Sequence, residues 1–364
     1  PCTFDQAYMC DGSHVAYVRS EDTEEGRRAR AAAWLEENPE YAPDEGDGDE
    51  GSGLPPPEFK PGDPRMLNVL RGGIIRSAAF SPDSRQIITA SDDGVVRVWN
   101  TGDSKLVALF AVAGGVASSA SFSPDGKQIV TANGDGKLGV WTSDGRLLRS
   151  LPGHAGGAAS AEFSRDGKRI LTTGGDNIAR IWDAATGQQL QTLTSTASAI
   201  HFATFLPDGA RVATGSHDGY ATEIWDVASG RLLQTLEVGG LGSGIAFSPD
   251  GKRIASIGWD TVTVHDIATG QQMLQFSIGT RHVALSSIAY SQDGTRIITG
   301  EELGYARVWD ATDGALLFGL NPYDPKSPLW RAGPAQPIEH VAMSADGNYI
   351  LTVGRGAAHI WGVN

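Results

Sequence analysis

One motif recurs seven times along the chain at a near-constant period. The copies are AFSPDSRQIITASDDGVVRVWN, SFSPDGKQIVTANGDGKLGVWT, EFSRDGKRILTTGGDNIARIWD, TFLPDGARVATGSHDGYATEIWD, AFSPDGKRIASIGWDTVTVHD, AYSQDGTRIITGEELGYARVWD and AMSADGNYILTVGRGAAHIWG. Their anchors are Phe80, Phe122, Phe163, Phe205, Phe247, Tyr290 and Met343, spaced by 42, 41, 42, 42, 43 and 53 residues. A period of this length means that each copy is one supersecondary unit that must stack on its neighbours to bury its apolar faces.

Each copy reads as four short strands. The first ends at the anchor. A Pro-Asp-Gly turn follows, in which Pro sets φ and Gly accepts a positive φ. A β-rich apolar run such as RILTT comes next, then a second turn and an alternating segment ending in Trp or its equivalent. Turns of the DAATG type lead to a last strand such as QQLQTL or RLLQTL. Four-stranded antiparallel units with two apolar faces are buried by radial repetition, with the core between neighbours.

These motifs resemble the WD-repeat β-propeller family over residues 65–364. The Trp-Asp ending stands at Trp182–Asp183, Trp225–Asp226 and Trp309–Asp310, with looser forms at Trp99, Trp141, His265 and Trp361. An Asp six residues before the Trp occurs at Asp93, Asp135 and Asp176, and the family's Gly-His pair only at Gly153–His154. The resemblance implies an all-β, seven-bladed propeller of four-stranded antiparallel blades. It also places His154, Thr172, Asp176 and Trp182 in the family's buried hydrogen-bond tetrad. Blades five to seven depart most from the pattern.

The chain stops after the third strand of the seventh copy. The missing outer strand has a candidate in Met66–Leu70, because MLNVLRGG is similar to LLQTLEVGG. Its pairing would join the ends of the domain and remove an open edge. A competing feature is AYMCDGSHVAYVR at 7–19, which reads as an added hairpin or a degenerate eighth blade within residues 1–20. Residues 21–38 favour helix by composition. The acidic, Pro- and Gly-rich stretch 39–64 has little to bury and is expected to be a flexible linker, so 21–64 joins the hairpin to the propeller.

The net charge of −14 is concentrated in this arm. Residues 1–64 carry 16 acidic and 5 basic side chains, against 27 and 24 in residues 65–364. Neither part has the clustered Lys and Arg that nucleic-acid binding needs, so no nucleic-acid partner is expected. The arm is a solvated tail or a dock for a basic partner. Only Cys2 and Cys10 are present, so disulfides do not hold the repeats together, and a bridge between these two stays open. No apolar run approaches the roughly 20 residues of a membrane span, and a cytoplasmic location is expected. The chain begins at Pro1 rather than Met, so processing or an upstream segment is expected.

Catalytic and metal-binding patterns are weak. The eight histidines are scattered without ligand spacing, so no metal or cofactor is expected. GDGDEGSG at 46–53 matches a calcium loop in composition only. His265 in TVHD reads as a tolerated core substitution for Trp. No Ser/His/Asp set has an exposed nucleophile placed beside oxyanion donors. Small residues near the anchors, among them Ala78, Ser119, Ala159, Ala203, Gly244 and Ser287, point to a narrow channel without chemistry.

That leaves surfaces. In such a fold the blade-to-blade connections and the loops between second and third strands share one face. On it belong His217, Tyr220, Trp259, Glu301, Glu302, Tyr305 and Arg355. The insertion NPYDPKSPLWRAGPAQP at 321–337 joins blades six and seven and carries five prolines. Tyr323, Trp330 and Arg331 within it are residue types enriched at interface hot spots. Internal capping by Trp330 is the competing reading. The expected function is a non-enzymatic scaffold or sensing module for protein partners. Alternatives are a structural subunit of a larger assembly, or an enzyme or ligand-binding propeller using the central channel. The uniform repeats and turns such as DAATGQQL look like those of bacterial WD-repeat proteins, which implies a partner such as an effector domain upstream in the same polypeptide.

Overall fold

A computed structural model describes residues 64–195, 200, 202–215, 221–238, 244–278, 284–321, 337–354 and 356–363. The expected hairpin, helix and linker of residues 1–63 lie outside the described residues, as does nearly all of the 321–337 insertion.

The described residues form seven four-stranded antiparallel sheets, each a blade of a β-propeller. Blade three is representative, with strands Ala158–Phe163, Arg169–Gly174, Ala179–Asp183 and Gln189–Leu193 in that spatial order. The second strands are the most buried. RILTTG in blade three is buried at every position but the first, which is why these runs are apolar on both faces rather than alternating. The outer strands are more exposed, and Leu147–Leu151 alternates toward solvent.

Blade seven is composite. Its three inner strands are Ile338–Met343, Tyr349–Gly354 and Ala357–Gly362, and its outermost is Arg65–Arg71 from the other end of the domain. Met66 stands opposite Trp361, and Leu70 opposite Ala358.

The core lies between blades rather than within them. Seven apolar clusters each draw side chains from two adjacent blades, and together they close the ring. Ile88 and Val98 of blade one meet Phe122 and Trp141 of blade two, for example, and the Phe110 and Trp141 ring centroids are 4.6 Å apart. The seam between blades seven and one packs Val353 and Ile360 against Ile87 and Trp99.

The turns after the innermost strands repeat one device. Ser164 Oγ donates to Asp166 Oδ1 at 2.6 Å and accepts from the Arg169 amide at 2.9 Å, and Gly167 takes φ of 70°. The Ser hydroxyl, then the Lys168 amide, hold the Asp166 carboxyl below its ordinary pKa. Blade one has Ser84 where Gly is usual. Ser84 adopts φ of 62°, and its hydroxyl accepts from the Asp346 amide of blade seven at 3.2 Å, so a left-handed residue supplies a bond across the closing seam.

Candidate functional site

The repeat places one chemical pair in six blades. The indole of Trp99, Trp141, Trp182, Trp225, Trp309 and Trp361 donates to Thr89, Thr131, Thr172, Thr214, Thr299 and Thr352 at 2.7–3.1 Å. Each bond joins a third strand to the second strand beside it and satisfies an indole that the core would otherwise leave unpaired.

Blade three extends the pair to a tetrad. Thr172 Oγ1 accepts from Trp182 and donates to His154 Nε2 at 2.7 Å. His154 Nδ1–H donates to Asp176 Oδ1 at 2.7 Å. This chain of donors requires a neutral imidazole protonated on Nδ1. Burial pulls the His154 pKa down and outweighs the Asp176 carboxylate, which acts the other way. Burial opposes the charge of Asp176, but hydrogen bonds from His154 and Arg180 hold it below the ordinary value. Gly174 is small because a Cβ there would meet the His154 side chain. The four groups are bonded in series inside the sheet, and Arg180 Nη1 adds a bond to Asp176 Oδ2 at 2.7 Å.

Blade one lacks the histidine and uses Arg97, fully buried, whose Nη2 bonds Asp93 Oδ2 at 2.6 Å. Gly72 leaves room for that guanidinium. Blade five departs further. His265 occupies the Trp register opposite Ile254, at the same bulge before the strand end, and its buried Nδ1 has no hydrogen-bond partner. Burial lowers its pKa. Ser256, in the Thr position, bonds Thr263 at 2.8 Å instead.

The upper-face residues separate into three groups. Trp259 is 59% exposed and Tyr305 40% exposed, and Glu302 is also exposed. Glu301 is corrected: it is 1% exposed, and its Oε1 lies 3.1 Å from Arg307 Nε, so it braces blade six from inside. Burial raises its pKa against the opposing pull of Arg307. His217, Tyr220, Tyr323, Trp330, Arg331 and Arg355 lie outside the described residues.

Trp259, Glu302 and Tyr305 stand on one rim. The Trp259 carbonyl accepts from the Leu285 amide at 2.7 Å, and the Glu302 amide donates to Ala284 at 3.0 Å, so the loops of blades five and six share one connecting segment. Leu303, which sequence reasoning did not single out, adds a 51% exposed side chain between Glu302 and Tyr305. Its signal was present as an apolar residue at a turn position, where polar residues are the rule.

Sequence reasoning also missed the opposite face. Glu162 sits on the innermost strand of blade three, one residue before the anchor. Its Oε1 accepts from the Phe205 amide of blade four at 2.7 Å, and Oε2 lies 3.3 Å from Thr204 Oγ1. Burial pushes its pKa up to about 7, against those two hydrogen bonds. The equivalent positions in the neighbouring blades, Ser121 and Thr204, are uncharged.

Among the described residues, no cluster of three or more His, Cys, Asp or Glu is arranged to hold a metal ion, and no helix is long and apolar enough to cross a membrane.

A comparison with curated proteins found no match. The family model described as WD domain, G-beta repeat matches residues 65–100, 107–142, 145–183, 187–222 and 275–310. The three inner strands of blade five, where His265 replaces Trp, and the three inner strands of blade seven fall outside these spans, whereas blade seven's outer strand Arg65–Arg71 lies within the first. The spans cover just over half of the chain, and with the seven closed blades they establish that it belongs to the WD40-repeat family.

Proposed function

We propose that the protein is a non-enzymatic scaffold or sensing module that holds a protein partner on the rim of blades five and six. WD40 propellers typically bind proteins, which supports the class but names no partner. The observation that carries the reading is the presence of three large exposed side chains, Trp259, Leu303 and Tyr305, on loops tied together by backbone hydrogen bonds. Contiguous exposed apolar groups of this kind mark interaction sites. Exposed Glu302 and half-buried Asp260 flank them, which favours a partner segment bearing apolar and basic residues.

The 321–337 insertion joins the neighbouring pair of blades, and Tyr323, Trp330 and Arg331 extend the same contact surface in this reading. Its prolines restrict the unbound chain, so less entropy is lost on docking. The acidic arm, residues 1–64, acts as tether or as a second dock for a basic surface. A cytoplasmic setting and an effector domain in the same polypeptide fit such a module.

The test is affinity capture with the intact chain, a Trp259→Ala/Tyr305→Ala variant and a Tyr323→Ala/Trp330→Ala/Arg331→Ala variant, all checked for equal thermal stability. A partner held by the intact chain and lost from either variant supports the reading. Identical partner sets for all three baits would remove the rim and the insertion as contact surfaces.

A further inference from the structure

Each blade ends in an outer strand whose far edge pairs with no other strand among the described residues. Such an edge presents amides and carbonyls ready to pair, and proteins usually guard it with charge, proline or a covering segment. In blades two to six the fourth residue of the outer strand is exposed and is polar or glycine: Ser150, Thr192, Thr235, Gln275 and Gly319.

Blade one differs. Its outer strand, Leu106–Ala111, reads LVALFA and has Leu109 in that fourth place. No other outer strand among the described residues is without a polar residue or a glycine. Folding accounts for Phe110 and Ala108, which pack toward blade two, with the Phe110 ring against Trp141. It does not account for Val107, 52% exposed, or for half-buried Leu109. The backbone points the same way. At the upper end of the strand the Val112 amide donates to the Gly94 carbonyl at 2.8 Å. Bonding alternates along an antiparallel pair, so Phe110 and Ala108 bond the third strand opposite Val96 and Val98, while Leu109 and Ala111 turn their amides and carbonyls to the open edge.

We propose that this edge pairs with the same strand of a second copy of the chain, antiparallel and centred on Leu109, so that two blades join into one eight-stranded sheet about a twofold axis. Leu109 then faces Leu109 of the other copy, and Val107 faces its Ala111, apolar cross-strand pairs of the kind that stabilise sheets. Charge favours a second copy as the occupant. The strand itself is uncharged, so self-pairing sets no like charges opposite each other. The antiparallel direction also brings Lys105, exposed at the lower end of one strand, beside the upper end of the other, where Asp92 and Asp93 precede Gly94.

Sedimentation equilibrium of the intact chain over about a hundredfold range of concentration should show a monomer–dimer equilibrium. Val107→Lys/Leu109→Lys should raise its dissociation constant about tenfold or more, because charge on an edge opposes strand pairing. Leu233→Lys, on the outer strand of blade four, should leave it unchanged. Melting curves check that each variant is folded. Leu109→Thr, which copies Thr192 and Thr235, is the gentler variant if the double change unfolds the chain, and it should weaken the dimer about threefold or more. Amide hydrogen exchange reports the pairing itself: the Leu109 and Ala111 amides should exchange about tenfold or more slowly where the dimer predominates. A chain that stays monomeric throughout, even one that takes another protein's strand at this edge, would overturn the proposal. So would a dimer that survives the folded edge variants, or one in which the Leu109 amide gains no protection.

Discussion

Met66 lies opposite Trp361 in an antiparallel pair, so the first strand of the domain completes the sheet formed by its last three. The chain's own ends thus form the seam of the ring, with Leu70 buried among Ile75, Trp99 and Ile360.

Leu70→Ala should therefore destabilise the whole propeller rather than one edge. Removing a buried Leu side chain costs about 2–5 kcal/mol. Urea unfolding followed by Trp fluorescence should give a single transition at a lower midpoint. A loss below about 1 kcal/mol would mean that the seam contributes little.

Thr172→Val should be among the most damaging conservative changes in blade three. It leaves the Trp182 indole and His154 Nε2 buried without their shared partner. At roughly 1–3 kcal/mol for each orphan, the expected cost is about 2–5 kcal/mol, measurable by the same unfolding curves. Thr131→Val in blade two breaks only the indole bond and should cost about half as much.

Acid should weaken the fold through its buried histidines. The pKa values of His154 and His265 are lowered by burial, and that of His359 is pushed down to about 4 by burial and then by Arg71. The unfolded chain therefore takes up protons first. The stability these residues confer is whole above about pH 6.5 and is lost as pH falls through the lower folded values. His265→Phe should flatten the decline between pH 6.5 and 4.5 in thermal melts. An unchanged slope would show that His265 is not a contributor.

Glu162 has the opposite sign. Its folded pKa is raised to about 7, so its contribution is whole below the unfolded value of 4.5 and is lost as pH rises through 7. Glu162→Gln should be more stable than the parent at pH 8, by about 1–3 kcal/mol, with the gap closing near pH 4.5. The charged groups nearby on the same face, Arg165, Asp166 and Arg253, are common to both proteins and cancel in the comparison.

Trp259→Ala/Tyr305→Ala should leave the melting temperature nearly unchanged, because exposed substitutions shift stability by about 0.5 kcal/mol or less. If the rim is the partner surface, the same variant should lose about 2 kcal/mol of affinity, roughly thirtyfold, in a titration with the captured partner.

The ring and its blade number were legible in the sequence because a 42-residue repeat reports each structural position several times. Seven Pro-Asp-Gly-type turns and six Trp–Thr pairs sample the same geometry, so one degenerate copy such as TVHD could still be placed by its neighbours. Glu301 was misplaced as surface because a carboxylate beside a turn looks solvated in one dimension. Its burial depends on Arg307, six residues away in sequence but adjacent in the sheet.

Local periodicity determined the strands, the turns and which faces must be buried, since these depend on backbone preference and hydrophobic spacing within one repeat. Tertiary structure alone decided what converges from different repeats. It joined Trp259 to Leu303 and Tyr305 on one rim, and set Glu162 and Tyr290 at one mouth of the channel. Those relationships cross blade boundaries, where neither the period nor any motif fixes a distance, and the radial packing of separate apolar faces supplies it.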